Sequence, residues 1–498
     1  MRPGAPPLGP SPLRRFYVET WGCQMNELDS QRMAGQLMQQ GILPTLEPGE
    51  ADLILLNSCS VREKAVQKVH SRLGEYRQLK RERPHMQIGL CGCVAQQEGE
   101  AVLARIPDLD FVVGPARVGE LTQVLARRAA GERVLAIGFP GERSYDFDTI
   151  SRDGLYKGMV TIIEGCNKRC TFCIVPSTRG PEACRSAAEI EREVRHLLAL
   201  GFAEIELLGQ TVNHWREPQR TALEVEAAPG GGVAAEDFAD LLHRLASIPG
   251  LPRLRFVTSY PRDFTPRMVD QFRRHPNLCD GLHLPVQSGS DTVLRRMGRG
   301  YTRADYLELV EGLKAARPSI ALSTDIIVGF PGESDADFAA TLDLLREVRF
   351  AAVYAFCYSP RPGTAALRLA DSAVPETVAQ ARLQALFTVQ AEIQTELHAK
   401  FDGQEIEVLV TGPAKAAGTL TGRTGCNRIV QFPAPTGSDA ARAGELRRVR
   451  VTRSHAHSLI GVLLTRDGKA ADLSSVPAPG AGSGFPVPRP RLLPTISA

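Results

Sequence analysis

Met159-Val-Thr-Ile-Ile163 followed by Gly165-Cys-Asn-Lys-Arg-Cys-Thr-Phe-Cys173 is the stretch on which the fold turns. A short β-branched run reads as a buried strand, and the glycine after it opens a loop. That loop carries Cys166, Cys170 and Cys173 in the spacing Cys-x3-Cys-x2-Cys. Three thiolates on one short loop wrap one face of a cubane iron–sulfur cluster and leave one iron open to a small molecule and an electron. A zinc site would ask for a fourth Cys or His, and Cys-x3-Cys is unusual zinc spacing.

Downstream of this loop, β-like runs recur at Ile205–Leu208, Leu254–Thr258, Gly281–Leu284, Ala321–Val328 and Ala352–Cys357. Amphipathic stretches lie between them, such as Ala188–Leu200, Phe238–Ser247 and Arg303–Ala316. The alternation predicts a partial (β/α) barrel over residues 155–387. Polar residues follow the strands, at the rim where such barrels keep their chemistry: Gln210, Asn213, Ser259, Gln287, Ser288 and Gly329–Glu333. Residues 216–235 read as a flexible insertion.

Upstream, residues 15–137 alternate strands and helices: Phe16–Thr20, Asn26–Gln40, Asp52–Leu56, Val61–Arg83, Met86–Leu90 and Phe111–Val113. This predicts a parallel α/β sheet. Cys23, Cys59 and Cys93 then fall just past three strand ends, the ligand-binding rim of open α/β sheets. From the residues alone, these three are as readily buried thiols as ligands. Cys91 stands two residues before Cys93, on the same side of a continuing strand, and geometry does not choose between them. Arg62, Lys64, Lys68 and Arg72 give the second helix a basic face that reads as solvated.

After residue 400, short strands with glycine turns predict a small β-barrel over residues 400–466. It holds ten Lys or Arg against five Asp or Glu, a net charge of +5. The whole chain of 498 residues carries only +3, so positive charge is concentrated here, as in RNA-binding modules. Residues 1–14 and 474–498 are rich in proline and are expected to be disordered. The usage, 43% hydrophobic and 23% charged, is globular, and no run approaches a membrane span. The N-terminus has no apolar signal-peptide core, so the expectation is a cytoplasmic protein.

The loop Cys166-x3-Cys170-x2-Cys173 at the first strand of a six-strand barrel resembles the radical S-adenosylmethionine superfamily. Further motifs narrow this: Thr20-Trp-Gly-Cys-Gln-Met-Asn26, Asn57-Ser-Cys-Ser-Val-Arg-Glu-Lys64, Gly92-Cys-Val-Ala-Gln96, Leu208-Gly-Gln-Thr-Val-Asn213, Leu284-Pro-Val-Gln-Ser-Gly-Ser290 and Asp325-Ile-Ile-Val-Gly-Phe-Pro-Gly-Glu333. Together they resemble the methylthiotransferases, in the branch that acts on isopentenyladenosine in tRNA. The third segment resembles the TRAM domain. The resemblance implies two [4Fe-4S] clusters: an auxiliary one on Cys23, Cys59 and Cys93, and a radical one on Cys166, Cys170 and Cys173. It places Cys93 rather than Cys91 in the ligand position.

The implied reaction is methylthiolation of C2 of N6-isopentenyladenosine beside the anticodon. One S-adenosylmethionine gives a methyl group, and a second is cleaved to a radical that abstracts hydrogen from the base. Gln210, Asn213, Gln287, Ser288, Asp325 and Gly329 are expected to contact S-adenosylmethionine. Arg179 is expected to meet a substrate carboxylate or phosphate, or to form a surface salt bridge. The implied partners are tRNA and an electron donor such as flavodoxin or ferredoxin, with the protein acting as a monomer away from membranes. Rival readings are the same chemistry on ribosomal protein S12 or on threonylcarbamoyladenosine tRNA. A more distant one is an iron–sulfur RNA-binding or electron-transfer protein without radical chemistry.

Overall fold

Strands flanked by helices on both sides must be apolar on both faces, and those of the first segment are. The computed structural model describes residues 13–60, 63–141, 143, 145–152, 154, 156–218, 236–434 and 440–465. Of the expected disordered ends, 1–14 and 474–498, residues 1–12 and 474–498 lie outside these, as do most of the insertion, Val61 and Arg62 of the basic helix and the side chain of Lys64. Leu13 and Arg14 are ordered instead, Leu13 buried in the first core and the Arg14 amide bonded to Asp52 at 2.8 Å.

The first segment is a six-stranded, all-parallel sheet. Its elements are β1 (Arg15–Trp21), α1 (Gln24–Gln39), β2 (Leu43–Pro44), β3 (Leu53–Ser58), α2 (Glu63–Glu82), β4 (Gln87–Gly92), α3 (Cys93–Arg105), β5 (Phe111–Val113), α4 (Leu121–Ala129) and β6 (Val134–Ala136), with strand order β2-β1-β3-β4-β5-β6. The four expected strands form its centre; the short edges β2 and β6 extend it. Alternate residues feed two cores. Phe16, Val18, Leu53, Leu55 and Phe111 pack under α1 and α4, and Tyr17, Ile54, Leu56, Ile88 and Leu90 under α2 and α3.

The middle segment contains β7 (Lys157–Thr161), β8 (Ile163–Glu164), α5 (Val175–Arg179), β9 (Ala183–Cys184), α6 (Ala187–Ala199), β10 (Glu204–Leu208), α7 (Phe238–Ala246), β11 (Arg253–Phe256), α8 (Pro266–Arg274), β12 (Gly281–His283), α9 (Asp291–Arg296), α10 (Arg303–Ala316), β13 (Ala321–Val328), α11 (Asp335–Val348), β14 (Ala352–Cys357) and α12 (Glu376–Ala399). Six parallel strands form the partial barrel as two sheets, β11-β10-β7 and β12-β13-β14. A lone bridge from Leu254 to Leu278 spans the gap. The first barrel strand ends at Thr161, two residues before the expected Ile163. Ile163 turns away to pair antiparallel with Cys184. The 24-residue α12 contains Phe387, the expected end of this segment. It continues to the third segment, where His398 Nδ1 meets the His455 carbonyl at 2.7 Å.

The third segment is a closed barrel of β15 (Glu405–Pro413), β16 (Thr419–Arg423), β17 (Ile429–Pro433), β18 (Leu446–Ser454) and β19 (Leu459–Leu463), in the order β15-β16-β17-β19-β18. Val408, Val430, Phe432, Val449 and Leu459 fill it. Its β16–β17 turn is held at the N-terminal end of the partial barrel. Arg253 donates to the Arg423 carbonyl at 2.9 Å, and Arg255 to that of Gly425 at 3.0 Å. Among the described residues, no helix is long and apolar enough to cross a membrane.

Candidate cluster sites and the cavity between them

Three parallel strands ending side by side bring together cysteines that are far apart in sequence. Cys23 precedes α1, and its carbonyl accepts from Asn26 N at 2.9 Å. The Cys59 amide donates to the Trp21 carbonyl at 2.8 Å, and Cys93 is the first residue of α3. The loops are fixed by a buried polar knot. Asn57 Nδ2 donates to the Asn26 carbonyl and to Ser30 Oγ, both at 2.8 Å, and Asn26 Nδ2 donates to Asn57 Oδ1 at 3.1 Å. Gly92, with φ of 86°, leaves room for it: a Cβ there would stand 2.3 Å from Asn57 Oδ1.

The closeness of Cys23 and Cys93 pushes the Cys59 thiol well above the usual thiol range, whereas that of Cys59 lowers Cys23 to about 6 and Cys93 to about 7. The neighbouring Arg179 guanidinium adds to both decreases. Cys91 differs: it lies inside β4, packed in the sheet core, and burial pushes its thiol up.

The second trio follows Gly165, whose φ of 80° lets the Cys166 amide reach the Gly180 carbonyl at 3.0 Å. Cys166 Sγ lies 3.3 Å from Thr211 Oγ1, and the Cys173 amide donates to the Cys170 carbonyl at 3.1 Å. Arg299 Nη1 donates to Cys170 Sγ at 3.4 Å. That guanidinium is buried between the rings of Tyr260 and Tyr301, 4.5 and 5.4 Å away. Burial raises Cys173 to about 12.

A cavity of about 1500 Å³ joins the two sites. Cys23, Cys59, Cys166, Cys170 and Cys173 lie on its wall, with Cys93 enclosed beside Cys59. Gln210, Gln287 and Asp325 also line it. Gln210 accepts from the Gly165 amide. Gln287 holds a left-handed φ of 76°, backbone strain of the kind that collects at functional sites. The other three expected ligand contacts sit elsewhere. Asn213 bonds the Tyr260 backbone in both directions at 2.8 Å, Ser288 is fully buried beside Thr341, and Gly329 packs on Ala379.

Arg179 is neither a surface residue nor free for a substrate anion. It is buried, with Nη2 2.8 Å from Asp29 Oδ2. Asn26, Asn57 and Thr211 stand inside the quoted motifs, but their roles depend on partners far off in sequence; Arg299 lies outside every motif.

No group of three or more His, Cys, Asp or Glu among the described residues meets the geometry for a single metal ion. The trios are candidates instead for clusters, in which each thiolate takes its own iron. The donor sets suit that: all-thiol trios, each with a buried guanidinium beside it to balance an anionic group.

Three family models match parts of the chain. Residues 15–114 match the uncharacterized protein family UPF0004, residues 160–345 the radical SAM superfamily, and residues 399–464 the TRAM domain. The chain is 44% identical to the tRNA-2-methylthio-N(6)-dimethylallyladenosine synthase of Solibacter usitatus over 90% of its own length and 97% of the relative's. It is 42% identical to the enzyme of that name from Burkholderia mallei, over 92% and 99% of the two chains. Among solved structures, the radical S-adenosylmethionine methyltransferase TsrM from Kitasatospora setae aligns at 14% identity with a TM-score of 0.49, covering 82% of this chain and 80% of that one.

Proposed function

Because this chain belongs to the tRNA-2-methylthio-N(6)-dimethylallyladenosine synthase family, we infer that it methylthiolates C2 of N6-isopentenyladenosine beside the anticodon of tRNA. The observation that carries this reading is the shared cavity. Cysteines of both trios line it, and it also reaches Arg423 and Arg428 of the basic barrel.

Two [4Fe-4S] clusters are the cofactors proposed, on Cys23, Cys59 and Cys93 and on Cys166, Cys170 and Cys173. With S-adenosylmethionine, they supply reductive cleavage of the sulfonium and a methylated sulfur for insertion. An aromatic C–H resists polar chemistry at neutral pH, which is why a radical route is needed. The protein binds and orients. Gln210, Gln287 and Asp325 are proposed to hold S-adenosylmethionine over the second trio, and Arg299 to balance the charge of its thiolates.

The target base must leave its stack, at a cost of a few kcal/mol. Tyr354 and Phe387 are 49% and 40% exposed on the cavity wall and offer ring faces to unstacked bases. Arg423 and Arg428 are proposed to meet the phosphates. The proposed setting is the cytoplasm, with the chain acting as a monomer supplied with electrons by a flavodoxin or ferredoxin.

Nucleoside mass spectrometry of tRNA from cells with and without this chain tests the reading. Loss of the 2-methylthio group from isopentenyladenosine, restored by the intact chain, is expected. Loss from threonylcarbamoyladenosine, or from ribosomal protein S12 in the matching proteome, would transfer the assignment to that substrate.

A further inference from the structure

Burying a cation is costly unless an anion faces it. Arg179, at the end of α5, is 3% exposed. Its Nη2 is taken by Asp29, while its Nη1 is buried without a well-formed hydrogen bond. Helix α5 packs on α3, whose first residue is Cys93. A guanidinium from the barrel segment is thus delivered across the domain boundary to the thiols of the first segment.

Further charged groups surround the pair. Arg32 lies 3.8 Å from Asp29 and 3.7 Å from Glu164, and Arg143 lies 2.8 Å from Glu164. Among the described residues, these contacts link Arg179, Arg32 and Arg143 to Asp29 and Glu164. Arg179 is the member beside Cys23 and Cys93. A cubane held by three thiolates is an anion, and one-electron reduction makes it more negative. Net charge and hydrogen bonds to sulfur set the potential of such clusters.

We infer that Arg179 is a positioning residue for the first trio: a fixed cation, supplied by the barrel, that favours the reduced form of a cluster on Cys23, Cys59 and Cys93 and raises its reduction potential. This rests on the reading that the trio holds a cluster.

The test uses the full chain with Cys166, Cys170 and Cys173 changed to Ala, so that only the first trio is loaded. Potentiometric titration followed by electron paramagnetic resonance gives the midpoint. A unit charge within about 10 Å of a ligand shifts an equilibrium by more than tenfold at an effective dielectric of about 20. Arg179→Gln is therefore expected to lower the reduced-to-oxidised ratio at fixed potential at least tenfold, about 59 mV for one electron. Arg179→Lys should recover most of that shift. Asp29→Asn, which keeps an acceptor for Arg179 but removes a negative charge, should move the midpoint the opposite way.

An unmoved midpoint in a loaded Arg179→Gln protein overturns the inference. If that variant does not load, Asp29→Asn decides: a midpoint that stays put or falls overturns it, and one that rises supports it. Absence of cluster iron in the parent with the three Ala substitutions overturns the cluster reading itself, and this inference with it.

Discussion

Replacing Gly92 with Ala perturbs the first trio without touching a cysteine. Gly92 has φ of 86° and ψ of −156°, a region close to glycine-only, where a side chain costs about 1–3 kcal/mol. The new Cβ would lie 2.3 Å from Asn57 Oδ1 and 2.8 Å from the Ser58 carbonyl. The backbone oxygen cannot withdraw, so Asn57 must, giving up its bonds to Asn26 and Ser30 at about 1 kcal/mol each. The expected loss is about 3–5 kcal/mol, concentrated at the ends of β3 and β4. Hydrogen–deuterium exchange should become about a hundredfold faster or more in peptides covering residues 53–58 and 87–92, with the barrel strands unchanged. Reconstituted iron should fall from about eight to about four per chain. Gly74→Ala is the control: nothing lies within 4 Å of a Cβ there, in the middle of α2. That change should stabilise by about 0.5–1 kcal/mol. Full iron and unaltered exchange in Gly92→Ala would refute the claim that the Asn knot holds the trio.

Cys91→Ala should keep both clusters, while Cys93→Ala should lose only the one on the first trio; the reverse pattern of iron would make Cys91 the ligand. In protein stripped of iron, iodoacetamide should alkylate Cys23 with a rate that rises through about pH 6, where its thiolate forms, while Cys91 stays unreactive; peptide mass spectrometry reads both. Arg423→Ala and Arg428→Ala should each weaken tRNA binding and reduce its salt slope by about 1; an unchanged slope would remove these side chains from the RNA path.

The elements legible in the sequence were those whose residues decide locally. Phe111–Val113, Ala321–Val328 and Ala352–Cys357 are β-prone runs bounded by turns, and the strands found there have the same ends. Cys23, Cys59 and Cys93 were placeable because a parallel sheet puts successive strand ends on one edge. The end of the first barrel strand was not legible, because Ile163 is as β-prone as its neighbours and leaves the sheet only through its partner Cys184. Nor was the full length of α12, which passes from one packing environment to another without a glycine or proline to mark the boundary. Polar residues after a strand can face the ligand or tie their own loop. Gln210 lines the cavity and Asn213 ties its loop, and the difference lies in Tyr260, 47 residues away. Arg179 illustrates the same limit, since its burial depends on Asp29, 150 residues distant.

The central claim is that two thiol trios with separate tasks serve one cavity. It is tested most directly by assaying Cys59→Ala and Cys170→Ala, reconstituted under anaerobic conditions, for S-adenosylmethionine cleavage and for methylthio transfer to tRNA. Cys59→Ala should still form 5′-deoxyadenosine after reduction but transfer no methylthio group, and Cys170→Ala should do neither. Loss of cleavage in Cys59→Ala with the second trio's cluster intact, or methylthio transfer by either variant, would contradict the account.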